Sequence, residues 1–133
     1  MAMTRDFRNL SRQVAIIGAA ECDEIGVVPN KSSMQLLIEA AWNAMDDAGV
    51  SKDEVDGLLS TVSTLQIAEY MGIKQPRYTD TTSVGGSSYL IQVGHAAAAI
   101  ASGLCEVAVI FHADMIRHGE IRHNACDIFA ILS

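Results

Sequence analysis

The residues that could carry covalent or proton-transfer chemistry gather in two places. Gly85-Gly86-Ser87-Ser88 lies within a stretch, Thr81 to Cys105, that contains no Asp, Glu, Lys or Arg. A turn of this kind at the start of a helix presents unpaired amides and a partial positive charge, which suits an anion or an activated nucleophile. Ser87 or Ser88 acting as an ordinary N-cap is the simpler role for these hydroxyls. Within the same stretch His95 stands alone among alanines. It reads first as a hydrogen-bonded packing histidine and second as a catalytic base. The other cluster comes late: His112, Asp114, His118, His123 and Cys126. Metal ligands could be drawn from it, but its spacings match no compact zinc pattern, and a solvated segment after a strand is the simpler account.

Residue types disfavour one cofactor motif and exclude another. Gly18-Ala19-Ala20-Glu21 offers one glycine where a dinucleotide-binding turn needs three, and an acid where pyrophosphate would sit. No GxxxxGK[ST] is present, so there is no P-loop. The three cysteines, Cys22, Cys105 and Cys126, form no CxxC and cannot all pair, which points to a reducing cytoplasm.

These residues must be positioned by a chain of 133 residues, long enough for one domain with a real core. Half the residues are hydrophobic and 19% are charged, which excludes a wholly disordered protein. Nine basic against sixteen acidic residues give a net charge of −7, against the basic patches that nucleic acid or an anionic membrane would require. The run Val14–Ala20 ends at Glu21 without a signal-peptide cleavage site, and no stretch is apolar enough to span a bilayer.

Hydrophobic periodicity then orders the elements. Residues 1–12 read as a loose polar leader. Val14-Ala15-Ile16-Ile17, closed by Gly18, reads as a buried parallel strand. Ser32 with Gln35 makes a capping box; Leu37, Ile38, Ala41, Met45 and Ala48 follow at helical spacing, and Gly49 stops a helix over 33–48. A strand over 55–62 and a short helix over 65–72 come next. Pro76 blocks further helix before a strand over 77–82. A helix over 87–102 would place Leu90, Val93, Ala97 and Ile100 on one side and other apolar residues on the rest. Such a helix must be covered on more than one side, by a second domain or another subunit. A continuous apolar strand, 105–111, follows it. The alternation of strands and helices predicts an α/β fold.

Taken together these words resemble the thiolase superfamily, and most of all its lipid-transfer-protein (sterol carrier protein x) type. The resemblance rests on the strand into Gly18, the helix to Asp47-Ala48-Gly49, the strand after Glu54-Val55-Asp56-Gly57, and Ala-Ala-Ala-Ala-Ile-Ala-Ser-Gly (96–103) followed by Cys-Glu-Val-Ala-Val-Ile (105–110). It covers about residues 13–116. It implies a mixed, mostly parallel sheet in a layered αβα half-fold with the Ala-rich helix buried between sheets. It further implies acyl-CoA chemistry with coenzyme A thioester as substrate, no tightly bound cofactor, a homodimer, and in one branch an OB-fold partner protein. The family's nucleophile is a cysteine at the start of that helix. Counting back from 96–103 without gaps places it at Gly86, beside Ser87; a three-residue shift places it at Ser83. Neither register supplies a thiol, and neither Cys-x-Gly nor the family histidine motif is present. Relatives without the cysteine are associated with aldol-type cleavage of acyl-CoA side chains.

The reading is therefore a leader at 1–12, an incomplete thiolase-like domain at 13–118 and a divergent tail at 119–133. The expected function is acyl transfer or aldol-type carbon–carbon cleavage on acyl-CoA; a non-catalytic interaction subunit or inactive fragment is the alternative. Ile128, Phe129, Ile131 and Leu132 have no assigned cover, which predicts poor order after about residue 118 and tolerance of its deletion.

Overall fold

The computed structural model describes residues 10–118, 121–125 and 128–132, with side chains described over 10–113. The first nine positions of the expected leader lie outside the described residues. Strand β1 (Ala15–Ala20) leads to helix α1 (Ser33–Ala48), β2 (Gly57–Ser60), α2 (Thr64–Met71), β3 (Tyr78–Asp80), α3 (Ser88–Ala101) and β4 (Val107–Phe111). Three further strands follow: β5 (Asp114–His118), β6 (Ile121–Ala125) and β7 (Ile128–Leu132).

Local chemistry sets the helix ends. The Ser32 side chain accepts from the Gln35 amide at 3.2 Å while the Gln35 side chain accepts from the Ser32 amide at 2.7 Å, so the capping box is closed. A cap of this kind stabilises a helix by about 1 kcal/mol. Gly49 (φ 68°) and Gly72 (φ 69°) end α1 and α2 in the left-handed region that glycine enters without steric cost.

A five-stranded sheet in the order β1-β7-β4-β2-β3 organises the domain. β2 pairs in parallel with β3 and β4, whereas β7 is antiparallel to both β4 and β1. The chain moves outward from β2 to the edge at β3, then back across to β4. Right-handed crossovers in opposite directions put their helices on opposite faces of a sheet. Accordingly α2 joins α1 on one face and α3 lies on the other. The strands alternate to match. Leu58, Val107, Val109 and Phe111 pack in the α1/α2 core, while Leu59, Ala108 and Ile110 pack with Ala96, Ala99 and Ile100 of α3. The result is a layered αβα unit.

Two close approaches fix the sheet against its helices. A Cβ at Gly18 would lie 2.6 Å from the Ala44 carbonyl and 2.7 Å from the Ala48 Cβ, so only glycine lets α1 sit down on β1. Asp56 joins the starts of three strands. Its carboxylate accepts from the amides of Glu106 and Val107, each at 2.9 Å, and its carbonyl accepts from the Arg77 amide at 2.7 Å.

Three expectations are corrected. β1 lies at the sheet edge beside an antiparallel neighbour, and Ile16 is 56% exposed, so it is not a buried parallel strand. Ile128–Leu132, expected to lack order, forms the strand between β1 and β4, with Ala15 opposite Leu132 and Val107 also opposite Leu132. An apolar run of five needs a sheet to cover it, and the pairing residues lie more than a hundred positions and some twenty positions away, beyond any local signal. Finally, α3 buries Ser88, Gln92, Ala96, Ala99, Ile100 and Ala101, so its inner face contains polar residues and Leu90 points outward.

Candidate active site

Parallel strands β2, β3 and β4 all end at one edge of the sheet, and α3 begins there. This is where open α/β sheets place their ligand sites, because strand ends and helix amino ends converge on the crevice. The Ser60 hydroxyl donates to the Phe111 carbonyl at 3.2 Å and accepts from the Val62 amide at 3.3 Å, tying the ends of β2 and β4.

The turn before α3 separates the candidate hydroxyls. Ser88 is fully buried, and its Oγ donates to the Gly85 carbonyl at 2.6 Å and accepts from the Val84 amide at 2.9 Å. That hydroxyl is committed to holding the turn. Ser87 is the N-cap but makes no side-chain cap hydrogen bond. Ser83, Gly86 and Ser87 are all exposed around the turn. Gly85 takes a positive φ of 82°, and a Cβ at Gly86 would meet nothing within 4 Å. The helix start is thus open at the position that the resemblance assigns to the nucleophile, and it carries no thiol.

Cys105 does not supply one. It sits at the far end of α3, fully buried, and burial together with the Asp56 charge pushes its thiol up to about 11, with Arg77 opposing. A thiol that weakly acidic is not a nucleophile near neutral pH.

Two polar pairs flank α3. On the β4 side the Tyr89 hydroxyl contacts His112 Nδ1, with ring centroids 4.1 Å apart and tilted by 42°. On the β3 side His95 Nδ1 meets Asp80 Oδ2 at 2.5 Å. Asp80 is held in turn by the Thr82 amide at 2.7 Å and the Thr82 hydroxyl at 2.6 Å. Burial works to raise the Asp80 carboxyl, but the hydrogen bonds from Thr82 and His95 outweigh it and hold the group below the usual carboxylate range. The same carboxylate, with burial acting first, raises the Tyr78 phenol. Between the pairs, Gln92 is fully buried. Its amide nitrogen donates to the Thr82 carbonyl at 2.9 Å, while its Oε1 has no partner among the described residues.

Sequence reasoning located the turn but not the pairs. His95, read first as a packing histidine, has a side chain 45% exposed. Its partner lies fifteen residues away, and Tyr89 and His112 are twenty-three apart, so only the fold brings them together. The one available signal was the presence of Tyr89, Gln92 and His95 in a stretch that contains no Asp, Glu, Lys or Arg. Of the late cluster only His112 has a described side chain; His118, His123 and Cys126 lie outside those described. Among the described residues no group of three metal-ligating side chains forms.

No family model matches the chain. It is 33% identical over 114 residues to a 17-hydroxy-3-oxo-4-pregnene-20-carboxyl-CoA lyase of Mycobacterium tuberculosis, covering 83% of this chain and 29% of that protein. It is 34% identical over 110 residues to a steroid side-chain-cleaving aldolase of Thermomonospora curvata, covering 80% and 27%. The chain therefore spans less than a third of the length of these relatives. Among solved structures, the Ltp2-ChsH2(DUF35) aldolase superposes with a TM-score of 0.70 at 30% identity, over 80% of this chain and 30% of that one. A monomeric SCP2-thiolase-like protein of Mycobacterium smegmatis superposes at 0.64 with 24% identity, over 77% and 24%, which concerns the fold alone. The chain has a thiolase-like half-fold, mixed α/β with a parallel sheet core. No helix among the described residues is long and apolar enough to cross a membrane.

Proposed function

We propose that this half-fold belongs to an enzyme that cleaves a carbon–carbon bond in an acyl-CoA side chain by an aldol-type route, with a steroid-like acyl-CoA as substrate. One observation carries the reading. The start of α3 is open at Gly86 and holds no thiol, and the described free thiol, Cys105, is buried at the opposite end and held protonated. Thiolase-type acyl transfer needs a thiolate there; retro-aldol cleavage does not. The names of the two relatives agree with that chemistry.

In such a reaction a base takes the proton of the β-hydroxyl, which becomes a ketone. The carbon–carbon bond electrons pass to the thioester as an enolate, and the enolate takes a proton at its α-carbon. Acyl-CoA in therefore gives a ketone and a shorter acyl-CoA out, with no oxidant, reductant or metal. The amino end of α3 suits the developing enolate oxygen, because its amides and dipole favour negative charge. The Tyr89–His112 pair, with Tyr89 in the first turn of that helix and His112 just beyond β4, is the proposed proton-handling group. Ser83, Gly86 and Ser87 then shape the entrance and form no acyl intermediate. No tightly bound cofactor is needed, coenzyme A enters only as part of the substrate, and the reaction suits the cytoplasm.

The partners proposed are a second copy of this chain and an OB-fold protein; the solved aldolase is itself named for two components, Ltp2 and ChsH2(DUF35). Incubation with 17-hydroxy-3-oxo-4-pregnene-20-carboxyl-CoA, with and without such a component, tests the reading by chromatography. A 17-ketosteroid appearing with propionyl-CoA supports it. Acyl transfer to free coenzyme A would overturn it. Binding of the partner without product in any combination would favour a non-catalytic interaction subunit.

A further inference from the structure

The chain has three cysteines, Cys22, Cys105 and Cys126, and two of them have described side chains. Cys105 is a free, buried thiol, whereas Cys22 is disulfide-bonded. These two belong to opposite faces of the sheet: Cys22 packs in the α1/α2 core and Cys105 in the core beneath α3. Within one chain the sequence leaves Cys22 a single candidate partner, Cys126, which itself lies outside the described residues.

The register of the neighbouring strands points to the same partner. β1 and β7 run antiparallel, with Gly18 opposite Ala130, Ala19 opposite Phe129 and Ala20 opposite Ile128. In such a pair each step forward on one strand is a step back on the other. Two steps beyond Ala20 and Ile128 therefore bring Cys22 opposite Cys126. Opposed residues of an antiparallel ladder have Cα atoms about 4.5–5.5 Å apart, within the range of about 4.4–6.8 Å that a disulfide bridges. The bridge falls where β7 enters its place between β1 and β4. It also closes a loop of about 100 residues, so it takes much freedom from the unfolded chain. In a reducing compartment a bond of this kind forms and breaks with the thiol–disulfide balance instead of persisting.

We propose that Cys22 and Cys126 form a redox-sensitive clasp that fastens β7 into the sheet. On closing, the two thiols give up two protons and two electrons to a small-molecule disulfide such as oxidised glutathione, which leaves as two thiols. A small dithiol reverses the exchange. Cys22 is 5% exposed, so a reagent reaches it when the end of β7 lifts. The clasp stands apart from the catalytic reading and is tested without substrate. The whole chain is poised with oxidised glutathione or with dithiothreitol, alkylated in denaturant and weighed. One alkylated cysteine is expected after oxidation and three after reduction, with the tryptic peptide 13–31 joined to 123–133 in the oxidised sample alone. Reduction should lower the thermal midpoint by roughly 10 °C or more, and should speed amide exchange in Ala15–Ala20 and Ile128–Leu132 more than in Gly57–Ser60. Cys126→Ser should match the reduced parent under both conditions, while Cys105→Ser should respond as the parent does. Three alkylated cysteines after oxidation would overturn the proposal, as would a bond joining two copies of the chain. A midpoint and an exchange pattern indifferent to redox state would overturn it equally, because the bond would then fasten nothing.

Discussion

Gly86 is the position to which the ungapped resemblance assigns the thiolase nucleophile, and it carries no side chain. Nothing within 4 Å blocks a Cβ there, so Gly86→Cys should fold with stability within about 0.5 kcal/mol of the parent. At the amino end of α3 the new thiol should react with iodoacetamide near neutral pH far faster than Cys105. Thiolysis of acetoacetyl-CoA should nevertheless stay at the no-enzyme blank, because a thiolate without its proton-transfer partners completes no cycle. Cys105 makes the converse point. Its thiol titrates near 9 when unfolded and about 11 when folded. Below 9 both states are protonated and pH has no leverage. Between 9 and 11 only the unfolded state releases the proton, so stability falls as pH rises through that window. Urea melts across the window should show this decline in the parent and a shallower one in Cys105→Ala. The glycine-serine turn was legible because its residue types stand together. The Asp80–His95 and Tyr89–His112 pairs were not, since each joins residues that the chain keeps far apart.

At the scale of elements, the signals that succeeded were local ones. Ser32 and Gln35 mark the start of α1, Gly49 its stop, and the continuous apolar run 107–111 a strand covered on both faces. The failures were topological. Val14–Ile17 looks like a buried strand because it is apolar, yet its position is an edge. Ile128–Leu132 looks like a stray apolar tail until the antiparallel pairing with β1 and β4 supplies its neighbours. Removing 128–133 should therefore split β1 from β4 and lower the thermal midpoint sharply, contrary to the tolerance expected from the sequence. A midpoint within a few degrees of the parent would show that β1 holds without β7. Gly18 gives a finer probe of the same region. Gly18→Ala forces a methyl to within 2.7 Å of Ala48 and should cost about 1–3 kcal/mol in chemical denaturation, because α1 must move off the sheet.

For the whole molecule, the outward face of α3 connects fold to function. Leu90 is 79% exposed on a helix whose inner face alone packs on the sheet, and Leu104, just beyond its end, is 53% exposed. The relatives are more than three times as long as the stretch matched here, so in them such a helix lies within a larger body. The sequence signalled this need for cover through a helix apolar nearly all round, but not the form the cover takes. The missing thiol at the start of α3 was legible in the sequence; its open position and the buried Cys105 support the proposed aldol cleavage over acyl transfer. The two routes differ in the co-product and in whether the protein is acylated, and the aldol route must in addition protonate an enolate. Cleavage of a β-hydroxyacyl-CoA in D2O, with the second component present, should release a shortened acyl-CoA carrying one deuterium at its α-carbon, matched one-to-one by ketone, with the protein's intact mass unchanged. Products free of α-deuterium, or a protein carrying an acyl group on Ser83 or Ser87, would contradict the aldol account.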